Sequence, residues 1–177
     1  MTSKRIHVDR CSFIPPEGFV VQKEGSLTSP HPSGYLICTD GITPICITLT
    51  STKVYPDVPY FSNCPEDMNP AAYPVSITLT TFVAHGNARP MDHLCKTDEV
   101  LQRYFKNFKI DFYKKYMTGK YQAARSQCSF VTNFRIFRLN FAWLAEKELV
   151  VSTMMVTETG VQKGWNDLRK FVESVSL

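Results

Sequence analysis

The sequence predicts an α+β fold, an antiparallel β-sheet packed between helices as an α/β/α sandwich. Three observations carry that reading. Segments 45–52, 75–84 and 129–144 show the two-residue apolar period of strands, and 149–157 is apolar on both faces. One long stretch, 97–119, repeats apolar residues at helical spacing, and a shorter helical stripe closes the chain. All eleven prolines lie at or before Pro90, so loops should dominate the first half and regular structure the second.

Residues 6–14 look extended. Pro15-Pro16-Glu17-Gly18 is a turn and 19–22 resumes a strand, which predicts an opening hairpin. A second hairpin is expected from 35–39 and 45–52 around Asp40-Gly41-Ile42-Thr43-Pro44. In 45–52, Ile45, Ile47 and Leu49 face one way and Cys46, Thr48 and Thr50 the other. Residues 54–74 carry five prolines and no period. A structureless run of that length is uncommon in a compact domain and is a candidate partner-contacting segment, with Tyr55, Tyr60 and Phe61 as its rings. In 75–84, Val75, Ile77, Leu79 and Val83 point in while Ser76, Thr78 and Thr80 point out.

The long helix is read over 97–119. Leu101, Phe105, Phe108, Phe112 and Tyr116 form one stripe, with Tyr104 beside it. Thr97 is its cap, Asp98 and Glu99 suit its positive pole, and Gly119 closes it. A further helical turn is expected around 122–125. The strand over 129–144 places Phe137, Leu139, Phe141 and Trp143 on one face, turns at Ala145-Glu146-Lys147-Glu148, and returns over 149–157 as a central strand. After a turn at 159–164, Asn166 or Asp167 caps a last helix whose Trp165, Leu168, Phe171, Val172 and Val175 share a side.

At 177 residues the chain reads as one domain with 44% hydrophobic and 20% charged residues, the balance of an ordinary globular protein. The net charge of +4 is unevenly placed. Residues 1–96 hold seven Lys/Arg against eight Asp/Glu, and 97–177 hold thirteen against eight. That excess suits an acidic partner and is too small to argue for nucleic acid. No secretory signal opens the sequence, and no run approaches the roughly 18 apolar residues of a membrane span. Six cysteines form no Cys-x-x-Cys pair. They predict reduced thiols and a cytoplasmic protein, with Cys38 and Cys46 buried in strand-like runs.

Glycine-rich phosphate loops, a nucleophile elbow and an H-E-x-x-H helix are all missing from the sequence. The densest polar constellation is His85, Asp92, His93 and Cys95. His85, His93 and Cys95 are the weak metal candidates, because structural zinc normally takes two tight ligand pairs and here there is barely one. Cys95 just before a helix start would have its thiol pKa lowered, which makes it a candidate reactive thiol. The basic side of the long helix, Arg103, Lys106 and Lys114 with Lys109, Lys115 and Lys120 nearby, is the candidate surface for an acidic protein.

The closing run Val161-Gln162-Lys163-Gly164-Trp165, followed by 168–177, resembles the carboxyl end of PsbP-like proteins, where a lysine- and tryptophan-containing turn precedes a helix. Phe13-Ile14-Pro15-Pro16-Glu17-Gly18-Phe19 is similar to the first hairpin of that family, and the element order between them fits. The chain departs from the pattern in the 54–74 insert, in its cysteine count and in its lack of a leader. The resemblance implies a single PsbP-like domain over 1–177, an antiparallel sheet between helices and no cofactor. It further implies a non-enzymatic protein-binding or chaperone-like role with another protein as partner. PsbP-like relatives include an extrinsic photosystem II subunit, a Ran-binding release factor and chaperones for secreted bacterial effectors. The alternative is a thiol- or metal-dependent enzyme centred on His85, His93 and Cys95.

Overall fold

The computed structural model describes residues 4–21, 45–52, 75–118, 121–132 and 135–177. Strands β1 (Ile6–Val8) and β2 (Cys11–Phe13) form a small hairpin. Seven strands make the main sheet: β3 (Phe19–Val21), β4 (Cys46–Ser51), β5 (Ser76–Val83), β6 (Lys109–Thr118), β7 (Tyr121–Val131), β8 (Arg135–Ala145) and β9 (Glu148–Thr157). Every pairing is antiparallel, in the order β3-β4-β5-β9-β8-β7-β6. Helices α1 (Pro90–Tyr104) and α2 (Val161–Ser174) complete the fold.

The strand alternation divides the sheet into two faces. Leu139 and Phe141 of β8 with Val150 and Met154 of β9 pack under Leu168, Phe171 and Val172 of α2. Ala142 of β8, Ala124 of β7 and Leu149 and Val151 of β9 point the other way and meet Leu94 of α1. The two helices therefore cover opposite faces, which is the expected sandwich. Strand β9 holds the middle position of the seven, as its apolar residues on both faces require. Gly164 lets α2 lie close, since a Cβ there would stand 2.9 Å from Leu139 Cδ1 and 3.2 Å from Val156 Cγ1.

The stretch 97–119 is not one helix. Helix α1 starts earlier, at Pro90, whose fixed φ and missing N–H suit a first helical position, and it ends at Tyr104. Asn107 then takes a left-handed φ of 54°, and β6 begins two residues later. Thr97 lies inside α1, where its hydroxyl donates to the His93 carbonyl at 2.9 Å rather than capping a start. The expected turn at 122–125 is the opening of β7, and the strand read over 129–144 divides between the end of β7 and β8.

The ends of several elements also differ from expectation. The opening hairpin turns at Asp9-Arg10 to join β1 with β2, while β3 pairs with β4. Helix α2 starts at Val161, directly after a short 3-10 turn, so neither Asn166 nor Asp167 caps it. Asp167 instead receives a hydrogen bond from Lys163 Nζ at 2.7 Å. Cys46 is exposed. It neighbours the buried Ile45 and Ile47, and in a strand a neighbour points to the opposite face. The strand expected at 35–39 and Cys38 lie outside the described residues.

Phe13 meets Phe171 edge to face at 5.4 Å, which seats the β1–β2 hairpin against α2. Ser12 and Ser176 exchange backbone hydrogen bonds of 2.7 and 2.8 Å, tying that hairpin to the last residues.

Candidate functional site

Under α1 lies a buried polar cluster. Asp98 is 0% exposed and accepts from the Tyr113 hydroxyl at 2.9 Å, the Arg138 guanidinium at 3.2 Å and the Cys128 thiol at 3.7 Å. Two residues further along β8, on the same face as Arg138, Asn140 donates to Ser126 Oγ and accepts from Thr153 Oγ1, each at 3.0 Å. Burial outweighs the donors around Asp98 and raises its pKa above the ordinary 3.8. Tyr113 is held well above 10 by burial and by the carboxylate it faces. Burial pushes the Cys128 thiol up to about 12, so it keeps its proton at neutral pH. Each donor is committed to a partner, and neither Asp98 nor Cys128 reaches solvent. The arrangement suits holding a helix on a sheet better than acting on a substrate.

The sequence-predicted ligands are not brought together. His85 stands exposed in the β5–α1 connection. His93 and Cys95 leave α1 on opposite sides: His93 packs on the Phe82 ring at 5.2 Å, and Cys95 turns toward Tyr113. Among the described residues no three His, Cys, Asp or Glu side chains are placed to share a metal ion. Cys95 lies within α1 rather than before it, and burial raises its pKa instead of a dipole lowering it.

The basic residues do not share one side of a helix. Arg103 sits in the last turn of α1, Lys106 in the following turn, and Lys109, Lys114 and Lys115 on β6, the last strand of the sheet. Between 103 and 115 these five cations meet one carboxylate, Asp111. All five are exposed. Of these five, only Lys109 forms an ion pair among the described residues, with Asp111 at 3.5 Å. Lys114 Nζ lies 5.3 Å from the centre of the Phe112 ring, and Arg125 lies over both Phe112 and Trp165 at 5.8 and 5.6 Å. Trp165 donates to Gln127, whose amide donates to Asp111, both at 2.9 Å. The result is a basic rim backed by rings, with Tyr104, Ile110 and Met117 adding exposed apolar surface beside it. Lys120, Tyr55, Tyr60 and Phe61 lie outside the described residues.

A cavity of about 350 Å³ opens at the β8–β9 turn between Arg10, Trp143, Lys147 and Leu177. Its arginine is already paired with Glu148, and it gathers none of the candidate residues. No helix among the described residues is long and apolar enough to cross a membrane.

No family model matches the sequence, and no curated protein does. Solved structures do match in shape. The solution structure of CyanoP, the PsbP of the cyanobacterium Synechocystis, superposes with a TM-score of 0.58 at 8% identity, over 100% of this chain and 94% of that one. The Ran-binding protein Mog1p of Saccharomyces cerevisiae gives 0.57 at 10% identity, over 99% and 95%. LpqN of Mycobacterium tuberculosis, involved in cell envelope biogenesis, gives 0.54 at 12%, over 99% and 90%. The chain thus has the PsbP-like fold that its two ends resemble. Identities this low speak for the fold alone.

Proposed function

We propose that this protein is a non-enzymatic binding protein that holds an acidic protein partner along the basic rim of Arg103, Lys106, Lys109, Lys114 and Lys115. The observation that carries this reading is the five exposed cations set against one carboxylate at the open end of the sheet. Such a rim steers and orients an oppositely charged surface. Mog1p, of the same fold, is by name a Ran-binding protein, which supports a protein as the partner. We include in the proposal a single domain over 1–177, the 54–74 insert with Tyr55, Tyr60 and Phe61 as a second contact, and a reducing, cytoplasmic setting for the thiols.

The test is photo-crosslinking from position 117, an exposed methionine on the same strand, in extract of the source cells, using the parent and a Lys106→Glu/Lys114→Glu/Lys115→Glu variant. These side chains are exposed, so each change should move stability by no more than about 0.5 kcal/mol. The parent should capture acidic proteins in a salt-sensitive way and the variant should lose them. An identical captured set from both proteins refutes the reading.

A further inference from the structure

We infer that the partner binds by strand addition: an extended acidic segment pairs with the free edge of β6 and carries the sheet on by one strand. This rests on the acidic-partner reading and says how that partner is held. Strand β6 is ten residues long and ends the sheet; among the described residues nothing pairs its outer side. The N–H and C=O groups of alternate residues on such an edge point outward and are ready to pair. Among the described residues the opposite edge strand, β3, has three residues and offers no comparable template.

The placement of the lysines selects a strand over a flat acidic surface. Lys114 is paired with Arg125 on the α2 face, and Lys115 with Ala124 on the α1 face. Lys109 shares the α2 face, opposite Ser129. A flat surface lying on one face meets the cations of that face only. A strand laid along the edge projects alternate side chains to both faces and meets Lys114 and Lys115 together. The same lysines oppose pairing of β6 with β6 of a second copy, because like charges would then stand opposite one another.

The register break between Ile110 and Phe112 limits the regular edge to 112–118. Seven residues at about 3.3 Å each make a site roughly 23 Å long. The occupant should carry neighbouring carboxylates, one for Lys114 and one for Lys115. Apolar or β-branched residues should flank them, to lie against Tyr113 and the exposed Met117 on the α1 face and Tyr116 on the α2 face.

A synthetic peptide, Val-Thr-Val-Glu-Glu-Val-Thr-Val with blocked ends, serves as the probe. Two further peptides of the same sequence carry N-methyl groups at alternate residues, one in each phase. The full-length protein should bind the parent peptide at low salt, with slowed amide exchange confined to β6. One methylated phase should bind at least about tenfold more weakly, since it loses several backbone hydrogen bonds at once. Lys114→Glu/Lys115→Glu should weaken the parent peptide as well. Unchanged binding by both methylated peptides, with loss on charge reversal, overturns strand addition and leaves acidic docking standing. Binding that ignores charge reversal, or no binding of the parent peptide, overturns both.

Discussion

The two faces of the sheet are held by different means. On the α2 face the contact is hydrocarbon: Leu168, Phe171 and Val172 lie on Leu139, Phe141 and Met154, and Phe13 closes over Phe171. On the α1 face the helix buries Pro90 and Leu94, and one turn beyond Leu94 the buried residue is Asp98. Apolar burial stabilises in proportion to area and tolerates small shifts of the helix. A buried carboxylate with three directional donors does the reverse: it adds little net stability but strongly penalises any displacement that leaves a charge unpaired. The comparison assigns stability to α2 and a fixed placement to α1. That placement matters for the rim, because Arg103 lies in the last turn of α1 and Lys106 directly after it.

Removing the central acceptor should have the largest effect. Asp98→Ala strands the Arg138 guanidinium and should cost about 3–5 kcal/mol in urea unfolding. Replacing the set together, Asp98→Leu with Arg138→Met and Tyr113→Phe, should recover most of that loss, since no buried charge then lacks a partner. A loss below about 1 kcal/mol for Asp98→Ala would place the pair in water and erase the contrast between the faces.

The α2 face offers the next two effects. Trp165 is half-buried, edge to face with Phe141 at 5.3 Å and bonded to Gln127. Trp165→Ala should cost about 2–3 kcal/mol in a thermal melt, less than a fully buried ring, with Trp165→Phe milder. Gly164→Val should cost about 1–3 kcal/mol, because its side chain has to displace Leu139 and Val156 from a packed face. A Gly164→Val melt equal to the parent's would mean that α2 rides above the sheet rather than against it.

Much of this arrangement is legible in the sequence, and its failures have identifiable causes. The alternation in β4, β5 and β8, the two-sided apolar run of β9 and the stripe of α2 all report tertiary burial directly. The aromatic spacing over 97–119 misleads because a separation of four residues satisfies both the helical period and the strand period. Phe112 and Tyr116 share a face of β6 as well as they would share a face of a helix. Nothing but Asn107 marks the break between Tyr104 and Lys109. The polar cluster has no local signal, since Asp98 and Arg138 stand forty residues apart and meet only through the sheet register. The cations of the rim are visible as composition, but their position on an edge depends on a strand order the sequence does not spell out.

The finest contrast between the faces lies in two buried thiols. Burial raises Cys11, on the α2 face, from an ordinary 9.0 to about 11, with Arg10 opposing the shift. Burial with the Asp98 carboxylate raises Cys128, on the α1 face, to about 12. A pKa raised in the folded state means that stability is complete below pH 9 and is lost as pH climbs toward the folded value, because the unfolded chain releases its proton first. Each thiol therefore contributes a downward slope of about 1.4 kcal/mol per pH unit, across 9 to 11 for Cys11 and 9 to 12 for Cys128. Urea midpoints taken from pH 8 to 12 for the parent, Cys11→Ala and Cys128→Ala should show both variants falling less steeply than the parent above pH 9. Beyond pH 11 the Cys11→Ala curve should run parallel to the parent, while Cys128→Ala stays flatter. A Cys128→Ala curve parallel to the parent throughout would mean that its thiol ionises as a free one does, and that α1 does not seal the polar face.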